Sequence, residues 1–336
     1  MQNDPETFLQ SVNHARFHGQ AEGHYESFFL RANHPARPLA FWIRYTIFSP
    51  RGAPKNAVGE LWAVFFDGET NRHVVAKQEY PLAGCLFDTA AFGVRIGTAT
   101  LGPRHLHGAV ESRGQAVAWD LAFAGESAPA LLLPLKLYAG GFPAAKSLVS
   151  LPLARFGGGL SVNGEAIDVA GWVGSQNHNW GRRHTDLYAW GQVAGFDTHP
   201  ESFLEVATAK LRIGPLWTPP LTPLVLRHGQ REYALTGLVQ GLRARGSFGY
   251  FNWEFRSETA EVEIGGVISA PREAFVGLAY RNPPGGVKHC LNSKIAACRL
   301  QFRDKRTGST EILETKSRAA FEILTSDPDH GIPISA

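Results

Sequence analysis

Short segments rich in β-branched and aromatic residues alternate with tight-turn signals along most of this chain, and no other feature limits its fold as strongly. Asn163-Gly164 joins two such segments, and a type I′ hairpin turn needs the positive φ that these residues tolerate at both positions. Asp67-Gly68 and Arg113-Gly114 join further pairs of segments. Strands of this number and spacing predict an all-β protein built from antiparallel barrels or barrel-like sandwiches.

Little of the chain has a helical pattern. Asp4 can cap a short helix with Pro5 at its first position, which we predict to run to about Phe17. One further helical turn is predicted within Pro81–Ala91, and the polar stretch Ser175–Thr185 interrupts the series of strands. We therefore expect an N-terminal helix in residues 1–20, a first half in residues 21–178 and a second half in residues 179–336.

The charge balance and the cysteine usage exclude several classes of protein. The chain carries 33 Lys and Arg against 30 Asp and Glu, and these are scattered, so we expect no nucleic-acid partner. Its 3 cysteines include no C-x-x-C pair and indicate neither a disulfide framework nor a cysteine-based zinc site. His105 and His107 share one face of a predicted strand, but without a third ligand they predict no metal site.

Targeting signals and nucleotide-binding motifs are missing from the sequence. The N-terminus MQNDPETFLQ lacks the basic and apolar regions of a signal peptide, so the expected location is cytoplasmic. The longest apolar stretch, Pro129–Tyr138, is short and contains Pro134 and Lys136, so we expect no stable membrane insertion. Since G-x-G-x-x-G, P-loop and G-x-S-x-G motifs are absent, the sequence predicts no cofactor and no serine hydrolysis.

One region carries a family resemblance. Within Ser161–Phe196, the triplet Asn-Trp-Gly at 179–181 is followed by Trp190 and Gln192. This pattern resembles the tocopherol cyclase family. The resemblance implies two lipocalin-like barrels in tandem with an apolar ligand in or between them, as in carotenoid hydratase and AttH-like proteins and some fungal Diels–Alderases. The cyclases carry Glu-Lys where this chain has Asn177-His178, so a relative that acts on another apolar substrate is implied.

A run of four polar residues precedes Trp180. Burying Gln176, Asn177, His178 and Asn179 without partners would be costly. If the run lines a cavity, its amides can orient a ligand oxygen and His178 can act as an acid or base. The alternative is a connection between the halves in which these side chains satisfy backbone groups.

Carboxylates in aromatic-rich strands are the other candidates for proton transfer. Glu26 and Glu60 would stay protonated in an apolar pocket, as protonation of an alkene requires. Alternatively, they pair with arginines such as Arg31 and Arg44 at a barrel rim. Aromatic faces, those of Trp42, Trp62 and Trp190, could stabilise a cation formed in the ligand. Asp186 could hold the nearby His184 in one tautomer. The predicted catalytic residues are His178, Glu26, Glu60 and Asp186, and the predicted substrate-binding residues are Gln176, Asn177, Asn179, Trp180, Tyr188, Trp190, Gln192, Trp42 and Trp62.

Two functions fit these features. The first is a cofactor-independent cyclase, hydratase or isomerase that acts on an apolar isoprenoid or polyketide-like substrate by acid–base catalysis in a β-barrel pocket. The alternative is a non-catalytic carrier of a hydrophobic small molecule. Several ionisable groups around one apolar cavity would favour the enzyme, whereas a wholly apolar lining would favour the carrier. The expected partner is a hydrophobic small molecule in either case, and a homodimer stays open.

Overall fold

The computed structural model describes residues 11–336, and within them strands dominate. Two large sheets contain 13 and 10 strands, all paired antiparallel within the sheets, and a small hairpin lies apart from both. The prediction of an all-β protein with tandem barrel-like halves is confirmed. The first sheet contains β1 (His24–Asn33), β2 (Leu39–Ser49), β3 (Val58–Asp67), β4 (Val74–Pro81), β5 (Cys85–Phe87), β6 (Val94–Ile96), β7 (Ala99–Leu101), β8 (His105–Ser112), β9 (Gln115–Ala124), β10 (Ala130–Leu131), β11 (Ala145–Val162), β12 (Glu165–Asp168) and β13 (Trp172–Gly181).

The chain passes from the first sheet to the second between Gly181 and Leu187. The second sheet contains β14 (Leu187–Ala194), β15 (Phe203–Lys210), β18 (Leu224–His228), β19 (Arg231–Leu235), β20 (Arg245–Phe248), β21 (Asn252–Glu258), β22 (Val262–Ser269), β23 (Val276–Arg281), β24 (Val287–Asp304) and β25 (Thr310–Thr325). The separate hairpin consists of β16 (Arg212–Ile213) and β17 (Leu216–Trp217).

Helices are short in the described part of the chain. They are α1 (Lys136–Ala139) and α2 (Leu238–Arg243), with 3-10 turns at Pro54–Asn56, Leu82–Gly84 and Arg272–Ala274. Most of the helix expected from Asp4 to Phe17 lies outside the described residues, and residues 11–17 form a turn and irregular structure. The helical turn expected within Pro81–Ala91 is the 3-10 turn that leads into β5. No helix within residues 11–336 has the length and apolar character needed to cross a bilayer.

The turn signals act as expected at two of the three hairpins. Asn163 and Gly164 have φ of 50° and 87°, and Arg113 and Gly114 have φ of 53° and 74°, so both turns use two positive-φ positions. Asp67 instead begins a longer loop, in which its Oδ1 accepts hydrogen bonds from the backbone N–H groups of residues 69 and 70. A short acidic side chain here organises the loop rather than a two-residue turn.

The first sheet curls until its ends approach each other. Its strand order is β4-β3-β2-β1-β13-β11-β9-β8-β7-β6-β5, and β4 packs against β8 and β9. The backbone N–H of Lys77 donates to Ser112 Oγ at 3.0 Å across this closure. Side chains fill the interior, where Trp119 donates to the Tyr45 hydroxyl at 3.0 Å. This barrel therefore has a packed core of its own.

The second sheet has its own core and also packs against the outside of the first barrel. Its order is β19-β18-β15-β14-β25-β24-β22-β21-β20, and Trp253 on β21 donates to Thr208 on β15 at 3.0 Å across the interior. Its hydrophobic cluster extends to Phe29, Trp42 and Trp62 of the first half. The two halves thus share one continuous apolar interface.

The polar stretch predicted to interrupt the strands is itself a central strand. Its residues 175–181 belong to β13, which pairs with β1 on one side and with β11 on the other. A Cβ on Gly174 would lie 1.8 Å from the carbonyl oxygen of Arg31, so glycine allows the close approach of β13 to β1. The expectation that Ser175–Thr185 interrupts the strands was wrong for residues 175–181, because cross-strand pairing satisfies their backbone groups and side chains such as Ser175, Asn177 and His178 find hydrogen-bond partners.

Candidate functional site

A cavity of about 200 Å³ lies between the two halves. The first half contributes Tyr25 and Phe29 from β1 and Trp42 and Arg44 from β2. The second half contributes Tyr188 and Trp190 from β14, Ala207 and Ala209 from β15, Tyr280 from β23 and Glu322 from β25. Leucines of α1, of α2 and of the segments next to β10 and β16 line the cavity further out.

Strand alternation explains which side chains reach this cavity. Successive residues of a strand point to opposite faces, so Tyr25 and Phe29 share the face of β1 that is turned toward the second half. Glu26 and Phe28 share the other face, which belongs to the interior of the first barrel. The same parity brings Trp42 and Arg44 of β2 to the cavity. The cavity thus lies on the outer surface of the first barrel.

Arg44 places a positive charge in this aromatic surrounding. Its guanidinium lies 4.4 Å from the ring centroid of Tyr280, and its Nη2 donates to Ser27 Oγ at 2.6 Å. Burial would lower the pKa of Arg44, but the neighbouring Tyr280 and Glu60 raise it above its usual value. The guanidinium therefore stays charged and can stabilise negative charge on a bound molecule.

Glu322 supplies a carboxylate to the same cavity. Oε1 accepts hydrogen bonds from Lys294 Nζ at 2.6 Å and from Asn292 Nδ2 at 3.0 Å. Cys290 Sγ lies 3.7 Å from Oε2. Lys294 and Asn292 are fully buried behind Glu322. Two donors thus hold one carboxylate oxygen, and the other has a thiol as its neighbour.

His184 is a neutral imidazole in the cavity wall. Burial and the charge of Arg44 lower its pKa to about 3. Its Nε2 lies 3.1 Å from the carbonyl oxygen of Arg281, so Nε2 carries the proton and Nδ1 is left as an acceptor. The ring stacks on Tyr25, with centroids 3.9 Å apart. The carbonyl of Arg281, and not Asp186, therefore sets the tautomer, which corrects the partner expected from the sequence.

Phenol groups complete the polar lining. Burial raises the pKa of Tyr25, Tyr188 and Tyr280 well above the ordinary value of a tyrosine. The hydroxyl groups therefore stay protonated and are available as hydrogen-bond donors.

Several buried polar atoms on cavity-lining side chains are unpaired. Arg44 Nε, Trp42 Nε1 and Asn179 Oδ1 have no hydrogen-bond partner among residues 11–336. Leaving a buried donor or acceptor unpaired costs about 1–3 kcal/mol, so such groups favour a bound polar partner.

Comparison with known proteins places this architecture. No protein-family model and no curated protein matches the sequence. The chain is similar to a putative AttH from Nitrosomonas europaea, with a TM-score of 0.57, 12% identity and coverage of 95% of each chain. It is also similar to kievitone hydratase from Nectria haematococca, with a TM-score of 0.58, 12% identity and coverage of 92% of this chain and 93% of that chain. A third similar structure is that of CghA with Sch210972, with a TM-score of 0.51, 10% identity and coverage of 90% of this chain and 89% of that chain.

This chain shares its fold with these three proteins. The architecture implied by the sequence resemblance is therefore confirmed, over nearly the full length of each chain. At these identities the similarity extends to the fold alone. Function must accordingly be argued from the cavity.

Four of the predicted substrate-binding residues line the cavity between the two halves. They are Trp42, Asn179, Tyr188 and Trp190. Trp42 and Trp190 also flank Lys294, whose Nζ lies 5.7 Å and 5.6 Å from their ring centroids.

His178 and Glu26 are brought together at a different place. His178 Nε2 lies 2.8 Å from Glu26 Oε1, and His178 Nδ1 lies 2.5 Å from the carbonyl oxygen of Val12. Glu26 also accepts from His24 and from the backbone N–H groups of Arg16 and residue 17. Burial alone would raise the pKa of Glu26, but the hydrogen bonds from His178 and His24 lower it to about 2. Both side chains are fully buried, are outside the cavity lining and anchor the segment that precedes β1.

Glu60 and Asp186 form ion pairs outside the cavity lining. Glu60 Oε1 lies 2.6 Å from Arg281 Nη2 and 3.2 Å from Lys77 Nζ. Burial would raise the pKa of Glu60, but Lys77 and Arg281 lower it, so this carboxylate is ionised. Glu60 thus pairs with basic side chains, as the alternative expectation had it, but its partners are Arg281 and Lys77 and not Arg31 or Arg44. Asp186 accepts from the backbone of residue 212 at 2.9 Å.

The other predicted binding residues are not part of the cavity lining. Ser175 and Arg31 both donate to Gln192 Oε1, and Gln192 Nε2 donates to Asn177 Oδ1 at 2.8 Å. This buried network joins β1 and β13 to β14 and therefore holds the two halves together. The remaining three, also outside the lining, are Gln176, Trp180 and Trp62.

Arg44, Glu322, Tyr280 and His184 are the functional candidates that the sequence did not single out as site residues. Strand parity could have indicated Arg44, because it shares a face of β2 with Trp42. No local signal marks Glu322, which reaches the site because β25 pairs with β14 and sets Glu322 opposite Trp190.

One cluster within residues 11–336 has the composition of a metal site. The ligand atoms of His199, His228 and Glu311 all lie within 4.8 Å of one another, outside the cavity lining. The Nε2 atoms of the two histidines lie 3.7 Å and 3.3 Å from Glu311 Oε2. By contrast, His105 Nε2 lies 2.6 Å from Asp120 Oδ1 on the exposed surface of the first barrel.

Proposed function

We propose that this protein is a cofactor-independent hydratase or cyclase that acts on an apolar isoprenoid or polyketide-like substrate with a carbon–carbon double bond conjugated to a carbonyl. It adds an O–H bond across that double bond, so that one carbon gains the oxygen and its neighbour gains the hydrogen. Water would supply the O–H bond in a hydratase, and a hydroxyl of the substrate itself would supply it in a cyclase. The substrate would bind in the cavity between the two halves.

The observation that carries this proposal is the presence of Arg44 and Glu322 in one aromatic cavity. A carrier of an apolar molecule needs no buried guanidinium and carboxylate in its binding wall. Both groups are costly to bury, and Glu322 has a lysine and an asparagine dedicated to holding it. Clustered ionisable groups in an apolar cleft are typical of catalytic sites.

Each polar group has a role in the proposed step. The oxygen of the attacking water or hydroxyl forms the new bond to carbon. At the same time the Glu322 carboxylate accepts the proton of that water or hydroxyl. The electron pair of the double bond moves toward a conjugated carbonyl oxygen, where Arg44 stabilises the negative charge. Glu322 then returns the proton to the neighbouring carbon. Overall one O–H bond and the π bond are broken and one C–O and one C–H bond are formed, so the step needs no oxidant or reductant.

The lining supports a substrate with an apolar body and a polar end. Phe29, Trp42 and Trp190 offer flat apolar surfaces. The tyrosine hydroxyls and the unpaired atoms of Arg44 and Asn179 would give hydrogen-bond partners to an oxygen substituent.

Turnover in deuterium oxide tests this proposal. The protein is incubated with a panel of isoprenoid and polyketide-like compounds that carry a double bond conjugated to a carbonyl, and products are analysed by mass spectrometry. We expect a product with one deuterium bound to the carbon next to the new C–O bond. A bound compound that is recovered chemically unchanged from every incubation would contradict the enzyme and support the carrier.

A further inference from the structure

The surface around the mouth of the cavity is unusually apolar. Three segments meet there, residues 129–147, 206–223 and 236–248, which we call the mouth segments. Each contributes side chains to the cavity lining, among them Leu137, Leu211 and Leu238. Of the large apolar side chains that are exposed within residues 11–336, most lie in these segments, namely Phe142, Ile213, Leu216, Trp217, Leu238, Val239 and Leu242.

Exposure of these side chains is substantial and contiguous along the chain. Leu216 is 72% exposed and Trp217 is 47% exposed, on the small hairpin that lies apart from both sheets. Val239 and Leu242, on α2, are 63% and 52% exposed. Clustered apolar side chains of this size mark a surface that is covered by a partner.

The charge of the mouth segments indicates which partner. They contain six basic residues and no Asp or Glu, whereas the whole chain carries 33 basic and 30 acidic residues. The basic residues are Lys136, Lys146, Lys210, Arg212, Arg243 and Arg245, of which Lys136, Arg212, Arg243 and Arg245 are exposed. Apolar side chains surrounded by basic ones are the pattern of proteins that dock on an anionic bilayer.

We propose that the mouth segments dock this protein on an anionic membrane surface, from which the apolar ligand enters the cavity without crossing water. Trp217 and the exposed leucines insert among the lipid acyl chains, and the arginines contact lipid phosphates. This attachment is peripheral. It rests on the proposed function only for the apolar character of the ligand, because the docking surface itself is defined by exposure and charge.

Flotation with lipid vesicles tests the docking. Vesicles of phosphatidylcholine alone are compared with vesicles that contain about one quarter phosphatidylserine. We expect the full chain to float with the anionic vesicles and to be released as salt is raised. Absence of the protein from the anionic vesicle fraction at low salt would overturn the proposal.

Variants separate the apolar and the electrostatic contributions. The double variant Leu216→Ser/Trp217→Ser should lower vesicle partitioning about tenfold or more. Arg243→Ala should lower it about fivefold on anionic vesicles. Leu86→Ser removes a comparably exposed apolar side chain outside the mouth segments, on β5, and should leave partitioning unchanged. Equal partitioning of all three variants would contradict docking through the mouth.

Two further measurements separate membrane docking from dimer formation and from ligand binding. If the face instead joins two copies of the chain, light scattering shows a dimer that the Leu216/Trp217 variant loses, with no vesicle binding, and the proposal falls. Binding of cis-parinaric acid in solution is measured in parallel. If the wild-type chain binds parinaric acid but not vesicles, docking alone is refuted. If it binds vesicles but not parinaric acid, the proposed ligand site is refuted and docking is supported.

Discussion

Lys294 Nζ lies 2.6 Å from Oε1 of Glu322, and of these two side chains only Glu322 lines the cavity. Burial lowers the pKa of Lys294, and the charge of Glu322 opposes that effect. The lysine therefore positions the carboxylate from behind.

Replacing Glu322 with Gln should lower turnover by about 10²–10⁴-fold, because the amide keeps the shape but cannot accept a proton. Ligand affinity should change much less. The rate is measured with a substrate found in the deuterium experiment. Glu60→Gln, which changes a buried carboxylate outside the cavity lining, is the matched control. An unchanged rate in Glu322→Gln would remove this residue from the proposed step.

Filling the cavity should abolish ligand binding. Ala207 is half-buried on β15 and lines the cavity, so Ala207→Trp would place an indole in the ligand volume. We expect at least a tenfold loss of affinity for cis-parinaric acid, about 1.4 kcal/mol. The same change at Ala118, which is half-buried on β9 outside the cavity lining, should leave affinity unchanged. Equal affinities in both variants would show that the probe binds elsewhere.

Glu26 should make stability depend on pH in the acid range. Its pKa is lowered from 4.5 to about 2, so its contribution to stability is complete above pH 4.5 and is lost as pH falls toward 2. Between about pH 6 and about pH 3 the unfolding free energy should drop by roughly 2 kcal/mol from this group alone. Denaturant titrations of the wild type and Glu26→Gln measure the difference. A difference in unfolding free energy between the two proteins that does not change with pH would contradict an ionised Glu26.

Glu205 should show the opposite dependence. Burial raises its pKa to about 7, against the opposing effects of the hydrogen bond from Trp190 and the charge of Arg31. The folded protein therefore loses stability as pH rises from 4.5 to about 7, because the carboxylate ionises first in the unfolded chain. Glu205→Gln should gain about 3 kcal/mol relative to the wild type between about pH 4 and about pH 8. Parallel stability curves for the two proteins would refute this.

His178→Gln separates a structural role from a catalytic one. The histidine bonds Glu26 and the Val12 carbonyl and lies outside the cavity lining, so we expect a loss of about 3–5 kcal/mol in stability with turnover of the folded protein retained. Its predicted role as an acid or base instead requires a 10²–10⁴-fold loss of turnover. Thermal unfolding and turnover measured on the same preparation decide between these results.

Much of the fold could be read from the sequence. The β character and the turns at Asn163-Gly164 and Arg113-Gly114 depend on local side-chain preferences, which act over a few residues, whereas the tandem halves were implied by the family resemblance. The sequence also indicated Trp42, Asn179, Tyr188 and Trp190, all of which line the cavity. The polar run 175–181 was misinterpreted because its hydrogen-bond partners, such as Gln192 and Glu26, lie on other strands.

The tertiary structure decided which neighbours in the sequence share a site. Once residues 172–181 pair as β13, consecutive side chains must point to opposite faces, so Asn179 reaches the cavity while His178 packs beside Glu26. The sequence by itself determined the strand-forming segments and the polar and aromatic residue types, because these depend on local chemistry. Only the pairing of β14 with β25 set Glu322 opposite Trp190, because strand register brings together residues that no local pattern connects.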